Sequence, residues 1–134
     1  MKKLMLDFTS PCEGYILAFE DDGKVAYAYL KKDGRIIAHV WLYNRCEAPE
    51  NAEWRDKANI PFANCRGYIS EEARMTSKVE VSDVLIDWEV DDLGPVAYVY
   101  IFENLYGVLS VGSKIGCARY AIKDSPLAKV MEIV

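Results

Sequence analysis

Two stretches of the chain nearly repeat one β-hairpin, and this repeat constrains the fold more than any other feature of the sequence. The first reads DDGKVAYAYL at 21–30, and the second reads DDLGPVAYVYIF at 91–102. When Val25 is aligned with Val96, both copies contain Val-Ala-Tyr-x-Tyr. Asp and Gly precede the aligned strand in both copies, and they are residues that tight hairpin turns favour. The chain is therefore predicted to use the same hairpin twice.

The segments around each hairpin extend it to a three-stranded antiparallel meander. Apolar and polar residues alternate along 84–90, for example, as they do in a strand with one buried face. The first meander is predicted from strands within 14–20, 24–30 and 35–44, and the second from strands within 83–90, 95–102 and 107–113. The pair is interpreted as an internal repeat, with convergence of short hairpin sequences as the alternative.

The middle strand of each meander is apolar on both faces. In the first, Val25, Tyr27 and Tyr29 alternate with two alanines and a leucine. Such a strand is buried on both sides, so another part of the chain must cover the sheet. The C-terminus and the middle of the chain are the candidates. Ser125 is a suitable N-cap and Pro126 suits the first helical position. A C-terminal helix is predicted from the apolar residues that follow at helical spacing, which are Leu127, Val130, Met131 and Val134.

Residues 44–78 interrupt the β pattern between the two meanders. Two short helical turns are predicted there, at 50–58 and, with Ser70 as N-cap, at 71–76. The rest of this insertion is predicted to be irregular. A connection of this length is unusual in a compact domain, and such insertions often carry function.

These elements define the predicted fold class. The chain is expected to be a single domain over 1–134, of the α+β class with mostly antiparallel β structure. It consists of two three-stranded meanders, a further strand at 117–122, a C-terminal helix and an irregular insertion at about 44–78.

The charge of the chain limits the partners it can have. The formal net charge is −5, and no run of Lys and Arg exceeds two residues. Nucleic-acid backbones are bound by basic patches, so no nucleic-acid partner is predicted. An acidic surface suits a basic protein partner instead. The apolar run Leu4–Leu6 is too short for a secretory signal, and no stretch is long enough to cross a membrane. A cytoplasmic location without membrane association is therefore expected.

The cysteines and the histidine give no pattern typical of a metal site or of catalysis. Cys12, Cys46, Cys65 and Cys117 form no C-x-x-C pair, and His39 is the only histidine. No metal, no cofactor and no catalytic residue is predicted, and the thiols are expected to be free. A Cys46–Cys65 bridge and a dyad of either thiol with His39 are the alternatives.

The candidate binding site is an aromatic face of the first meander. His39, Trp41 and Tyr43 alternate along the third strand and are predicted to share one side, as Tyr27 and Tyr29 do on the neighbouring strand. The alternative is that these rings form the core. With one ring from the insertion, the predicted site residues are Tyr27, Tyr29, His39, Trp41, Tyr43 and Trp54. The aspartates of the hairpin turns are interpreted as solvated turn residues.

The function predicted from these features is that of a non-enzymatic cytoplasmic binding protein that acts through protein–protein contact. One concrete form is an immunity-type protein that binds a basic toxin, and a homodimer is a further option. The alternative function is a small-molecule-binding domain or an enzyme, with a pocket between the aromatic sheet face and residues 44–78.

Overall fold

The computed structural model describes residues 3–50 and 64–131, and 56% of the structure lies in β-strands. The strands are β1 Leu4–Thr9, β2 Tyr15–Asp21, β3 Val25–Lys32, β4 Arg35–Asn44, β5 Val84–Asp91, β6 Gly94–Ile101, β7 Asn104–Ser110, β8 Ser113–Ala118 and β9 Lys129–Val130. The described residues also contain two one-turn 3₁₀ helices, at Glu71–Ala73 and Val81–Asp83.

Eight strands form a single path in the order β1-β2-β3-β4-β8-β7-β6-β5, and the sheet curls into a nearly closed, barrel-like structure. Both predicted three-stranded meanders are present as consecutive antiparallel pairs. Each is extended to four strands, because β1 precedes the first and β8 follows the second. The two halves meet where β4 and β8 run parallel, with His39 opposite Ile115.

The predicted C-terminal helix is wrong, and with it the α+β class. Within residues 3–50 and 64–131 no helix reaches seven residues. The structure is mostly β, and the end of the described chain is extended. Val134, the last residue of the predicted apolar stripe, lies outside the described residues.

Ser125 begins a turn that resembles a helix start but leads into a strand. Its Oγ accepts the N–H groups of Leu127 and Ala128 at 3.1 and 3.3 Å, as an N-cap does. The carbonyl of Leu127 then accepts the N–H of Trp41 in β4 at 2.9 Å. Beyond it, Lys129–Val130 pairs with β8. Hydrogen bonds to β4 and β8 therefore satisfy backbone groups that a helix would have paired internally.

Three smaller predictions also differ from the structure. β7 begins and ends three residues earlier than the strand predicted within 107–113, and β8 begins and ends four residues earlier than the strand predicted at 117–122. Ser70 is an N-cap as predicted and accepts the N–H of Glu72 at 3.2 Å, but only the single 3₁₀ turn Glu71–Ala73 follows. The turn predicted at 50–58 falls almost wholly outside the described residues.

β3 is buried on both faces, as its apolar residues predict. Val25–Ala28 are all nearly inaccessible to solvent. Part of the cover comes from the C-terminal segment, residues 125–130. The carbonyl of its Leu127 accepts the N–H of Trp41. The insertion supplies another part, because Trp41 Nε1 donates to Asn44 Oδ1 at 2.7 Å and Asn44 Nδ2 donates to the carbonyl of Asn64 at 3.1 Å. Extended and irregular segments thus cover the sheet where the sequence predicted a helix to do so.

A buried carboxylate ties the insertion to the first hairpin. Asp21 Oδ2 accepts the hydroxyl of Tyr43 and Nε of Arg45, both at 2.6 Å. The side chains of Asp21 and Arg45 are only 3% and 5% exposed. Arg45 Nη1 also donates to the carbonyls of Met75 and Ser77. One ion pair therefore joins the ends of β2 and β4 to the far end of the insertion.

Asp21→Asn is expected to lower the free energy of unfolding by about 3–5 kcal/mol, because it leaves the Arg45 guanidinium buried without its counter-charge. Tyr43→Phe removes one hydrogen bond to a charged group and keeps the ion pair, so a smaller loss of about 1.5–3 kcal/mol is expected. Urea denaturation of both variants measures the difference. Equal losses in the two variants would contradict the role given to the ion pair.

Candidate functional site

A β-bulge divides the predicted aromatic face between the two sides of the sheet. Ala26 lies opposite Tyr43 and Tyr27 lies opposite Trp41, so Leu42 is an extra residue in β4. Residues directly opposite each other share a face, and Ala26 and Tyr27 point to opposite faces. Tyr43 is therefore on the other side of the sheet from Trp41. The prediction that His39, Trp41 and Tyr43 share one side is wrong for this reason.

Two of the predicted site residues belong to the core. Trp41 and Tyr43 are both 0% exposed. The indole of Trp41 is bonded to Asn44, and the hydroxyl of Tyr43 is bonded to the buried Asp21. Trp54 lies outside the described residues. The alternative that these rings form the core holds for this pair.

The other three predicted residues, Tyr27, Tyr29 and His39, meet in one open groove, which we call the tyrosine groove. The rings of Tyr27 and Tyr29 are stacked, with centroids 5.9 Å apart and planes 11° from parallel. His39 lies directly opposite Tyr29 in β4. The groove has a volume of about 320 Å³, and its remaining lining residues are Glu20, Asp22, Val25, Ile36 and Leu127.

The C-terminal segment supplies one wall of this groove. His39 Nε2 lies 3.0 Å from the carbonyl oxygen of Pro126. A carbonyl oxygen can only accept a hydrogen bond, so the N–H of Nε2 is the donor in this contact. The bond holds the imidazole against the segment that places Leu127 in the groove.

The electrostatic character of the groove is acidic. Burial, followed by the repulsion of Glu20 and Asp22, raises the pKa of Tyr29 to about 12. Burial also raises the pKa of Tyr27, and Tyr29 and Asp22 add to that shift. Both rings therefore stay neutral, beside two carboxylates. Lys3 Nζ lies 3.3 Å from Glu20, but its side chain is exposed, and such surface pairs hold weakly.

Sequence reasoning missed the two carboxylates of this groove and its C-terminal wall. Glu20 lies directly opposite Tyr27 across the first hairpin. That register follows from the turn at 22–24, so the sequence held a signal for Glu20. No comparable signal existed for Leu127, because its position depends on contacts with distant strands.

The insertion forms a separate cleft of about 770 Å³. Of the predicted aromatic residues within the described ranges, none lines this cleft. Its charges have both signs and come from Glu47, Arg66, Glu71 and Arg74. Its walls include residues from both sides of 51–63.

The four thiols lie within the described ranges and form no disulfide bond, so the alternative Cys46–Cys65 bridge is not present. Burial raises the pKa of the Cys65 thiol, which suppresses the thiolate that a nucleophile needs. In the part of the chain that the structure describes, no three His, Cys, Asp or Glu side chains are grouped so that they could hold a metal ion.

Comparison with known proteins identifies no relative of this chain. No protein-family model, curated protein or solved structure matches it. In residues 3–50 and 64–131, no helix has the length and apolar character needed to cross a membrane.

Trp41→Ala is expected to lower the free energy of unfolding by about 3–5 kcal/mol, because it leaves a cavity and removes the donor to Asn44 Oδ1. Tyr29→Ala, at the edge of the groove, is the control and is expected to cost less. Thermal and urea denaturation measure both. A stable Trp41→Ala protein would contradict the placement of this ring in the core.

The stability of the protein is expected to fall as the pH rises from about 10 to about 12. The pKa of Tyr29 is raised from 10.0 to about 12 in the folded state, so its stabilising contribution is complete below pH 10 and is lost through this range. Tyr29→Phe removes the group and should make the fall less steep. Urea denaturation at a series of pH values measures both slopes, and identical slopes would contradict the assignment.

Proposed function

We propose that this protein binds a basic protein partner and that the tyrosine groove takes an arginine or lysine side chain of that partner. The observation that carries this proposal is the stacked pair Tyr27 and Tyr29 with Glu20 and Asp22 in the same groove. The partner is held through non-covalent contact, and no catalytic step is involved. Neutralisation of a basic toxin is one concrete form of this function.

The chemistry of the groove favours a cation over other ligands. A guanidinium or ammonium group gains from lying within about 6 Å of an aromatic ring centre, and more so where it is partly desolvated. Glu20 and Asp22 add opposite charge next to the rings. A volume of about 320 Å³ lies at the lower end of the range for drug-sized ligands, which suits the end of one side chain.

The charge of the whole chain supports the same partner. With a formal net charge of −5, the protein attracts basic molecules over long range and raises their rate of encounter. Four cysteines without a disulfide bond are typical of a reducing compartment, which supports a cytoplasmic location for this binding event.

Titration with a blocked arginine tests the proposal. N-acetyl-arginine amide is added to isotope-labelled protein, and amide chemical shifts are followed by NMR. Shifts are expected to concentrate at Glu20, Tyr27, Tyr29 and His39. N-acetyl-citrulline amide has nearly the same shape without the charge and is expected to bind much more weakly. Equal binding of the two compounds would overturn the proposal and favour the small-molecule alternative.

Two variants locate the binding in the groove. Tyr29→Leu removes one aromatic face and is expected to weaken arginine binding about 2- to 30-fold, which is the range of cation–π contributions. Glu20→Gln should weaken it as well and make it less sensitive to salt. Tyr98→Leu is the matched control, because Tyr98 aligns with Tyr27 in the second copy of the repeat but contacts Glu89 instead. Loss of binding in the control alone would place the site elsewhere.

A further inference from the structure

In both copies of the repeat, the turn of the second hairpin has positive φ at its two residues, but those residues are very different. In the first copy, Asp33 and Gly34 make the turn between β3 and β4, with φ of +49° and +84°. In the second copy, Phe102 and Glu103 make the turn between β6 and β7, with φ of +50° and +67°. Asp-Gly is a favoured pair for a two-residue turn of this hand. Phe-Glu is not.

The second turn therefore carries a cost that the first avoids. A left-handed backbone is unfavourable for residues with a Cβ, and it is a marked outlier for a bulky side chain such as Phe. Burial does not offset that cost fully, because Phe102 is 37% exposed. Residues held in unfavourable backbone conformations often belong to binding or switching sites.

The exposed ring of Phe102 forms part of a groove on the outer face of the second meander. The groove has a volume of about 860 Å³ and combines apolar surface from Leu85, Tyr100 and Phe102 with the carboxylates of Asp83, Asp87 and Glu103. Among the described residues, no lysine or arginine lines this groove. Leu85 is 66% exposed, so apolar surface is left open to solvent here.

The corresponding face of the first meander is partly covered. There, the Leu127 carbonyl accepts the N–H of Trp41, the Trp41 indole is linked through Asn44 to Asn64 of the insertion, and Val25 and Tyr27 are largely buried at the base of the tyrosine groove. In the second meander, Leu85, Asp87 and Glu89 alternate along β5 and are all exposed. The outer face of the first copy is thus partly covered by its own chain, whereas that of the second copy is open to solvent.

We propose that the groove around Phe102 is a second docking surface, which takes an amphipathic basic segment of a protein partner. Apolar side chains of that segment lie on Leu85, Tyr100 and Phe102, and its lysines or arginines face Asp83, Asp87 and Glu103. Exposed apolar surface of this kind marks interaction sites, and the uniform sign of the charges selects a cationic partner. This surface is separate from the tyrosine groove, so it stands whether or not that groove binds arginine.

A short peptide in which Lys and Leu alternate is the probe for this surface. Binding is followed by NMR titration, and shifts are expected at Leu85–Asp87 and Phe102. A peptide that alternates Glu and Leu, and one that alternates Lys and Ser, test the charge and the apolar contact separately, and both are expected to bind more weakly. Shifts confined to the tyrosine groove, or equal binding of all three peptides, would overturn the proposal.

The decisive variant is Phe102→Asn, which gives the turn a residue suited to its backbone. The melting temperature is expected to rise by a few degrees, while affinity for the Lys-Leu peptide falls about fivefold or more, as it does when a buried interface ring is lost. Asp33→Asn in the first turn is the matched control and should leave the affinity unchanged.

Other outcomes for these variants contradict the proposal. A lower melting temperature in Phe102→Asn would show that the ring serves the fold rather than a partner. Unchanged affinity of this variant for the Lys-Leu peptide would show that Phe102 is not part of the docking surface. If sedimentation shows that the unchanged protein is a dimer and that Phe102→Asn is a monomer, this face binds a second copy of the chain instead. Tyr29→Leu is expected to bind the Lys-Leu peptide as the unchanged protein does. The proposal for the tyrosine groove and the proposal for this surface can therefore be tested separately.

Discussion

The two halves of the sheet are held together by a parallel contact that the C-terminal segment completes. β4 and β8 register only at His39 and Ile115, and the segment then bonds to Trp41 on one side and to β8 on the other. Without the segment, backbone groups of both strands would lack partners inside the protein, which is costly. The same residues place Pro126 against His39 and Leu127 in the tyrosine groove. Closure of the sheet and construction of the candidate site therefore depend on one set of contacts.

Local signals in the sequence predicted the meanders well because hairpins depend on residues close together in the chain. Alternation and turn residues were enough to locate the strands and to show that β3 is buried on both faces. The prediction of a C-terminal helix was wrong for a related reason. Ser125 makes the hydrogen bonds of an N-cap, but a cap is compatible with both a helix and an extended strand, and contacts with β4 and β8 decided between them.

The candidate site was partly predictable for the same physical reasons. Strict alternation placed Tyr27, Tyr29 and His39 together correctly. Alternation gave the wrong side for Tyr43, because the β-bulge at Leu42 places Tyr43 on the other side of the sheet from Trp41. No turn residue in the sequence indicates this bulge. The Trp41 amide bonds to the carbonyl of Leu127, which is 86 positions further along the chain. Such long-range contacts leave little trace in local sequence patterns.

The bond between the Trp41 amide and the Leu127 carbonyl links the internal motion of the protein to its groove. The Trp41 amide hydrogen can exchange with water only when the C-terminal segment lifts away from β4. The same movement withdraws Leu127 and Pro126, and with them one wall of the groove. Any molecule that fills the groove must therefore slow exchange at Trp41, a residue buried beneath it, so occupancy at the surface can be read from a single proton in the core.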